Sequence, residues 1–86
     1  MELRETVDGM LSEDYKERFI AEFQQVLIRR EKLETMLKKL TDGELDFKPD
    51  SSIGLLHTQA HIMGAYLSVL IDRATQEGIE LDCYID

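Results

Sequence analysis

Phe19, Phe23, Val26, Arg30, Leu33, Leu37 and Leu40 recur in alternating steps of four and three. That spacing keeps them on one face of a helix at coiled-coil pitch, and Ile20 and Leu27 widen the stripe. Ile53, Leu56, Ala60, Met63, Leu67, Leu70 and Ala74 repeat the pattern later in the chain. Two helices are therefore predicted, over about 12–41 and 51–77. At 1.5 Å per residue the first would be roughly 45 Å long. The stretch between them, "TDGELDFKPDSS", holds the single proline, a glycine and four acids, and predicts a loop over 42–50. Two long helices joined by a short polar loop make an antiparallel hairpin.

The helix ends are marked less sharply. Ser12 is a candidate cap for the first helix, with Glu13 and Asp14 in its first turn. Asp50 or Ser51 is a candidate cap for the second. Gly78 stands where a C-terminal glycine stop belongs. Beyond it, Ile79, Leu81, Cys83 and Ile85 alternate with Glu80, Asp82 and Tyr84, which predicts an extended tail over 79–86. Residues 1–10 read as an arm, loose or folded into a short helix, leaving 11–78 as the hairpin.

Between Ser51 and Ile71 the second helix carries no Asp, Glu, Lys or Arg, in a chain that is 33% charged. Ser51, Ser52, His57, Thr58, Gln59, His61 and Ser68 make it too polar for a membrane span. A soluble helix of this kind needs cover on more than one side. Gly54, Ala60 and Gly64 would admit close backbones, so other copies of the chain are the expected cover.

Size argues the same way. With 86 residues the chain makes one small domain, which is marginal without a disulfide, metal or partner. Its lone cysteine, Cys83, cannot form an internal disulfide and suits a reducing cytoplasm. The start "MELRETVDGM" lacks the apolar run of a signal peptide. A net charge of −8 opposes binding to a nucleic-acid polymer or to an anionic membrane.

Four constellations could carry chemistry. "HTQAH" places His57 and His61 one helical turn apart, as zinc-protease helices do, but Thr58 stands where that motif needs a glutamate. No third histidine exists to complete a metal site. Both are expected to be buried or interface histidines making ordinary hydrogen bonds, and both remain candidate ligand or interface contacts. "RREKLETMLKK" concentrates Arg29, Arg30, Lys32, Lys38 and Lys39 in an acidic chain. It either matches the helix dipole or forms an anion site. Arg30 occupies a seam position, where its guanidinium needs a partner, either a glutamate from a neighbouring chain or a phosphate in a pocket between chains. Gln59, Tyr66 and Arg73 recur every seven residues beside the second seam. An amide, a phenol and a guanidinium in a row can read a base edge, stack on it and hold a phosphate. Alternatively the row only flanks the seam, with Arg73 paired to Glu22. Cys83 has no fixed base near it in sequence, and the paired carboxylates lie in the loop and tail, so no catalytic residue, metal or cofactor is expected.

The segments "SEDYKERFIAEFQQVLIRREKLETML", "GELDFKP" and "LLxxQxxIMxAYLxVLxxRAxxEGIEL" together resemble a group of small phage and prophage proteins related to a crAss-like phage protein. That group is similar to the helical hairpin domain of phage anti-CBASS and anti-Thoeris sponges. The resemblance covers about residues 10 to 81. It matches at Glu17, Arg18, Arg29, Leu33, Gln59, Met63, Tyr66, Leu67, Arg73 and Ala74. Such sponges are homo-oligomers, often hexamers, that hold cyclic nucleotide immune signals between chains and do not cleave them. The resemblance implies an anti-defence protein of the host cytoplasm. The acidic loop and tail depart from it, as does the absence of the extra sheet region of the anti-Thoeris type.

The sequence therefore predicts an all-α antiparallel hairpin assembling into a homo-oligomeric bundle. Arg29, Arg30 and Arg73 are its candidate phosphate ligands, Tyr66 the base stacker, and Gln59 and His57 further ligand contacts. The competing expectation is an acidic helical interaction module, an inhibitor or assembly factor without a small-molecule ligand.

Overall fold

A computed structural model describes residues 1–81. A 3-10 turn at Leu3–Thr6 runs into a single turn of helix, α1 (Val7–Met10). Two long helices follow, α2 (Tyr15–Thr41) and α3 (Ile53–Glu77), and no strand is present among the described residues.

α2 contains neither glycine nor proline, so nothing interrupts it once started. It begins later than the sequence suggests. Asp14 is the cap, its carboxylate accepting the Lys16 N–H at 2.9 Å. Ser12 instead accepts the Asp14 N–H at 3.0 Å and shapes the preceding turn. α3 is likewise capped one residue beyond the expected pair, because the Ser52 hydroxyl is the one that reaches the Leu55 N–H, at 3.2 Å. Both helices stop at a glycine with positive φ, Gly43 at 73° and Gly78 at 71°, a backbone that costs a side-chain-bearing residue energy.

At the second stop the Ile79 N–H turns back to the Ala74 carbonyl at 2.8 Å. This six-to-one bond is the Schellman closure, and it folds the next residues onto the helix pair. Ile79 and Leu81 are buried there with Phe19, Phe23, Leu67, Leu70 and Ala74, against Ile20, Val26 and Leu27. Ile79 and Leu81 thus join the core while Glu80 stays exposed, with no strand partner among the described residues; the rest of the expected extended tail, 82–86, lies outside them.

α2 and α3 pack along each other. Their polar contacts join Tyr15 to Arg73, Glu22 to Tyr66 and Arg30 to Ala60, so numbers rise on one helix as they fall on the other. The main core lies at the end remote from the 42–52 loop. Leu37 and Ala60 extend burial toward that loop.

A second layer was not legible in the periodicity. Ala21, Gln24 and Ile28 form another buried row on α2, turned away from α3. The N-terminal segment lies over α2. Thr6, 1% exposed, accepts a hydrogen bond from Gln25 Nε2 at 3.1 Å and donates to the Leu3 carbonyl at 2.7 Å. Gly9 comes so close that a Cβ there would stand 3.1 Å from that of Ala21. Glu2 reaches Lys32 at 3.7 Å. Residues 1–10 are therefore the short-helix form of the expected arm, docked on α2.

No helix among the described residues is long and apolar enough to cross a membrane.

Candidate ligand-binding site

One flank of the helix pair carries a ladder of polar and aromatic side chains. Its first rung is Tyr15 with Arg73: guanidinium Nη2 donates to the phenol oxygen at 3.1 Å. Two turns along, the Tyr66 hydroxyl donates to a Glu22 carboxylate oxygen. Seven residues make two turns on either helix, so the same step again sets Arg29 level with Gln59. Helical phase alone thus collects Tyr15, Glu22 and Arg29 from α2 and Gln59, Tyr66 and Arg73 from α3.

Arg73 is the best-anchored member. Its Nε pairs with Glu77, one turn on, at 2.9 Å. Its Cζ lies 4.9 Å from the centroid of the Phe19 ring, within reach of a cation–π contact. Tyr15 tilts 58° against that ring at 6.4 Å between centroids. The alternative pairing of Arg73 with Glu22 does not form, because Tyr66 takes Glu22 and Glu77 is nearer to the guanidinium. The phenol of Tyr66 is pushed above its ordinary value. The hydrogen bond to Glu22 is the first cause, burial and the Glu22 charge add to it, and Arg73 opposes it. Arg29 is exposed and makes no ion pair among the described residues.

Arg30 and His57 belong to the other flank. Arg30 Nε donates to the Ala60 carbonyl at 3.2 Å, and Nη2 pairs with Glu34 at 3.0 Å. Its guanidinium occupies the room above Gly64, where a Cβ would come within 3.0 Å of Cζ. The seam arginine thus finds its partners inside its own chain. His57 lines a shallow cleft of about 350 Å³ with Glu34, Leu37, Lys38, Thr41, Asp42 and Ala60. His57 and His61 are both exposed. Among the described residues no three of His, Cys, Asp and Glu gather as a metal site.

The structure thus divides the six expected ligand residues. Arg29, Gln59, Tyr66 and Arg73 share a flank; Arg30 and His57 do not. Within the flank, Gln59 and Arg73 stand about 21 Å apart along α3, too far for one small nucleotide to touch both. Tyr15 was missed, and Glu22 was named only as a partner for Arg73. Their signal was the heptad step from Tyr15 to Glu22 to Arg29, which mirrors that of Gln59, Tyr66 and Arg73.

Beside this row runs a stripe of exposed apolar side chains, Leu55, Ile62 and Val69, which are 61%, 60% and 56% exposed.

Residues 13–76, three-quarters of the chain, match the Sequestin family, to which the chain belongs. The match covers α2 and all but the last residue of α3. No curated protein and no solved structure gives a match.

Proposed function

We propose that this Sequestin-family chain captures a small nucleotide signal, of the cyclic nucleotide class, and holds it without cleaving it. The observation that carries this reading is the single flank on which Arg29, Gln59, Tyr66 and Arg73 line up. The family name supports capture of a signalling molecule. The row supplies what a nucleotide needs: amide edges, phenol rings and a guanidinium. Of the two arginines in the row, Arg29 makes no ion pair among the described residues, so it is the first phosphate ligand; Arg73 can serve a phosphate only by sharing its bonds to Glu77 and Tyr15. Glu22 accepts hydrogen bonds and suits a ribose hydroxyl or a base amino group rather than a phosphate. The protomer is an antiparallel hairpin acting within a homo-oligomer, in the cytoplasm of a phage-infected host, where removing the signal blunts a defence.

One observation favours a second reading. Arg30 and Arg73 already have carboxylate partners in their own chain, which leaves less positive charge for a phosphate. An acidic helical module that docks on another protein needs no such site.

Native mass spectrometry of the purified chain separates the two. It is run alone and with cyclic mono-, di- and trinucleotides and cyclic ADP-ribose isomers. Capture predicts the added mass of one of these ligands, intact, in a fixed ratio to protein. An assembly that takes up none of the panel rejects capture of these signals and favours the interaction module.

A further inference from the structure

A second row runs along α2 beside Tyr15, Glu22 and Arg29. Arg18, Gln25 and Lys32 stand three residues on from each of them, on the side away from α3. Every member of this row holds the N-terminal segment. Arg18 Nη1 donates to the Ser12 carbonyl at 2.7 Å. Gln25 Nε2 donates to Thr6 Oγ1 at 3.1 Å and to the Met10 sulfur. Lys32 reaches Glu2 at 3.7 Å. The segment thus runs antiparallel to α2 along the whole flank that carries the ladder. We infer that it forms a wall of the nucleotide site, and that a base of the ligand rests on Met10. This rests on the capture reading and adds to it a surface outside the family match, which starts at residue 13.

Helical phase decides which side chains of the segment face the ladder. Thr6, which is buried, points at α2. Glu5 and Gly9 lie on one side of it, over a cleft lined by Ile20, Ala21 and Gln24. Met10 lies on the other side, where Gln25 meets it. Val7, three residues back, shares the side of Met10. Both are 44% exposed, so the wall is apolar and open to a ligand. Gly9 permits the docking, because a Cβ there would stand 3.1 Å from that of Ala21.

The position of Met10 suits a base. Gln25 lies between Glu22 and Arg29 along α2, so its Met10 contact marks the middle of that stretch. The ladder offers charge and hydrogen-bonding groups there, but a base also needs a partner for its flat face. A thioether is polarisable and adaptable and makes favourable contacts with aromatic rings. From a base on Met10, Arg29 is about one turn along for a phosphate. Glu22 is about one turn the other way for a sugar hydroxyl or a base amino group. One nucleotide can span that distance, whereas it cannot span Gln59 to Arg73.

Calorimetric titration of the full chain with cyclic mono-, di- and trinucleotides and cyclic ADP-ribose isomers tests the wall. Met10→Gln keeps the length of the side chain and makes its end polar, and should lower the affinity of the bound nucleotide at least fivefold. Met10→Leu should recover most of that loss. Gly9→Val lifts the segment from Ala21 and should lower affinity tenfold or more. Asp8→Asn, on the outward side of the segment, should leave it unchanged. With methyl-labelled methionine, the Met10 resonance should move when that nucleotide is added and the Met1 resonance, on the side of the Ala21 cleft, should not. Equal affinity in Met10→Gln, or a Met10 resonance that stays in place, overturns the wall while capture stands. A native chain that takes up none of the panel overturns capture, and the wall with it.

Discussion

The guanidinium of Arg30 fills the space that Gly64 leaves open, with no room for a Cβ beyond 3.0 Å from its Cζ. Bonds to Ala60 and Glu34 hold it there. Gly64→Val should therefore expel the arginine and cost about 1–3 kcal/mol, as overpacking does. In Arg30→Ala the same change should cost less, with a coupling of about 0.5 kcal/mol or more. Urea unfolding of the two single variants and the double variant measures it. Additive effects would mean that the two residues do not constrain each other.

The two ends of α3 make separate contributions. Ser52→Ala removes the side chain that holds the Leu55 N–H and should cost about 1 kcal/mol. Gly78→Ala forces a Cβ onto a φ of 71° and should cost about 1 kcal/mol or more, since Ile79 and Leu81 are placed by that turn. Thermal and urea unfolding report both. A neutral Gly78→Ala would show that another backbone path brings Ile79 to the core.

Tyr66 and Glu22 give the protein an alkaline signature. Folding favours the protonated phenol, held above its ordinary value of 10.0 chiefly by Glu22. That contribution is intact below the ordinary value and is lost as the pH rises through the raised one. Phenolate absorbance should show the Tyr66 phenol titrating above its ordinary value. Glu22→Gln should bring it back toward the ordinary value. An unchanged titration in that variant would remove Glu22 as the cause.

Arg29 and Arg73 should differ as probes of the site. Arg29→Glu alters an exposed side chain and should lower nucleotide affinity at least tenfold, with stability held within about 0.5 kcal/mol. Arg73→Glu sets a carboxylate beside Glu77 and over the Phe19 ring, so it should weaken binding and stability together. Calorimetric titration, with urea unfolding of the same samples, separates the two. Full affinity in Arg29→Glu would take this arginine out of the site.

The long helices were legible because their signals are local. Alternating steps of three and four marked the seam from Phe19 to Leu40 and from Ile53 to Ala74, and Gly78 marked a stop. The caps slipped by one or two residues because Ser12, Asp14, Ser51 and Ser52 all have the right chemistry, and only backbone direction decides which one reaches an N–H. The buried row of Ala21, Gln24 and Ile28 was invisible for another reason. Ala21 and Gln24 read as solvent-facing, and Ile28 as an isolated apolar position, until the N-terminal segment is laid over them.

The candidate site divides in the same way. Sequence alone determined that Gln59, Tyr66 and Arg73 share a helix face, because a 3.6-residue turn fixes it, and that the chain carries no charged side chain from Ser51 to Ile71. It could not assign partners. Which α2 residue stands opposite Tyr66 depends on the register between two helices, set by how Phe19, Phe23, Leu67 and Leu70 interlock and how the loop closes. Only the tertiary structure decided that Glu22 takes Tyr66, that Arg30 is satisfied by Ala60 and Glu34 over Gly64, and that His57 lies on the far flank. Helical periodicity is a property of neighbours in the chain; register is a property of side chains packed across it.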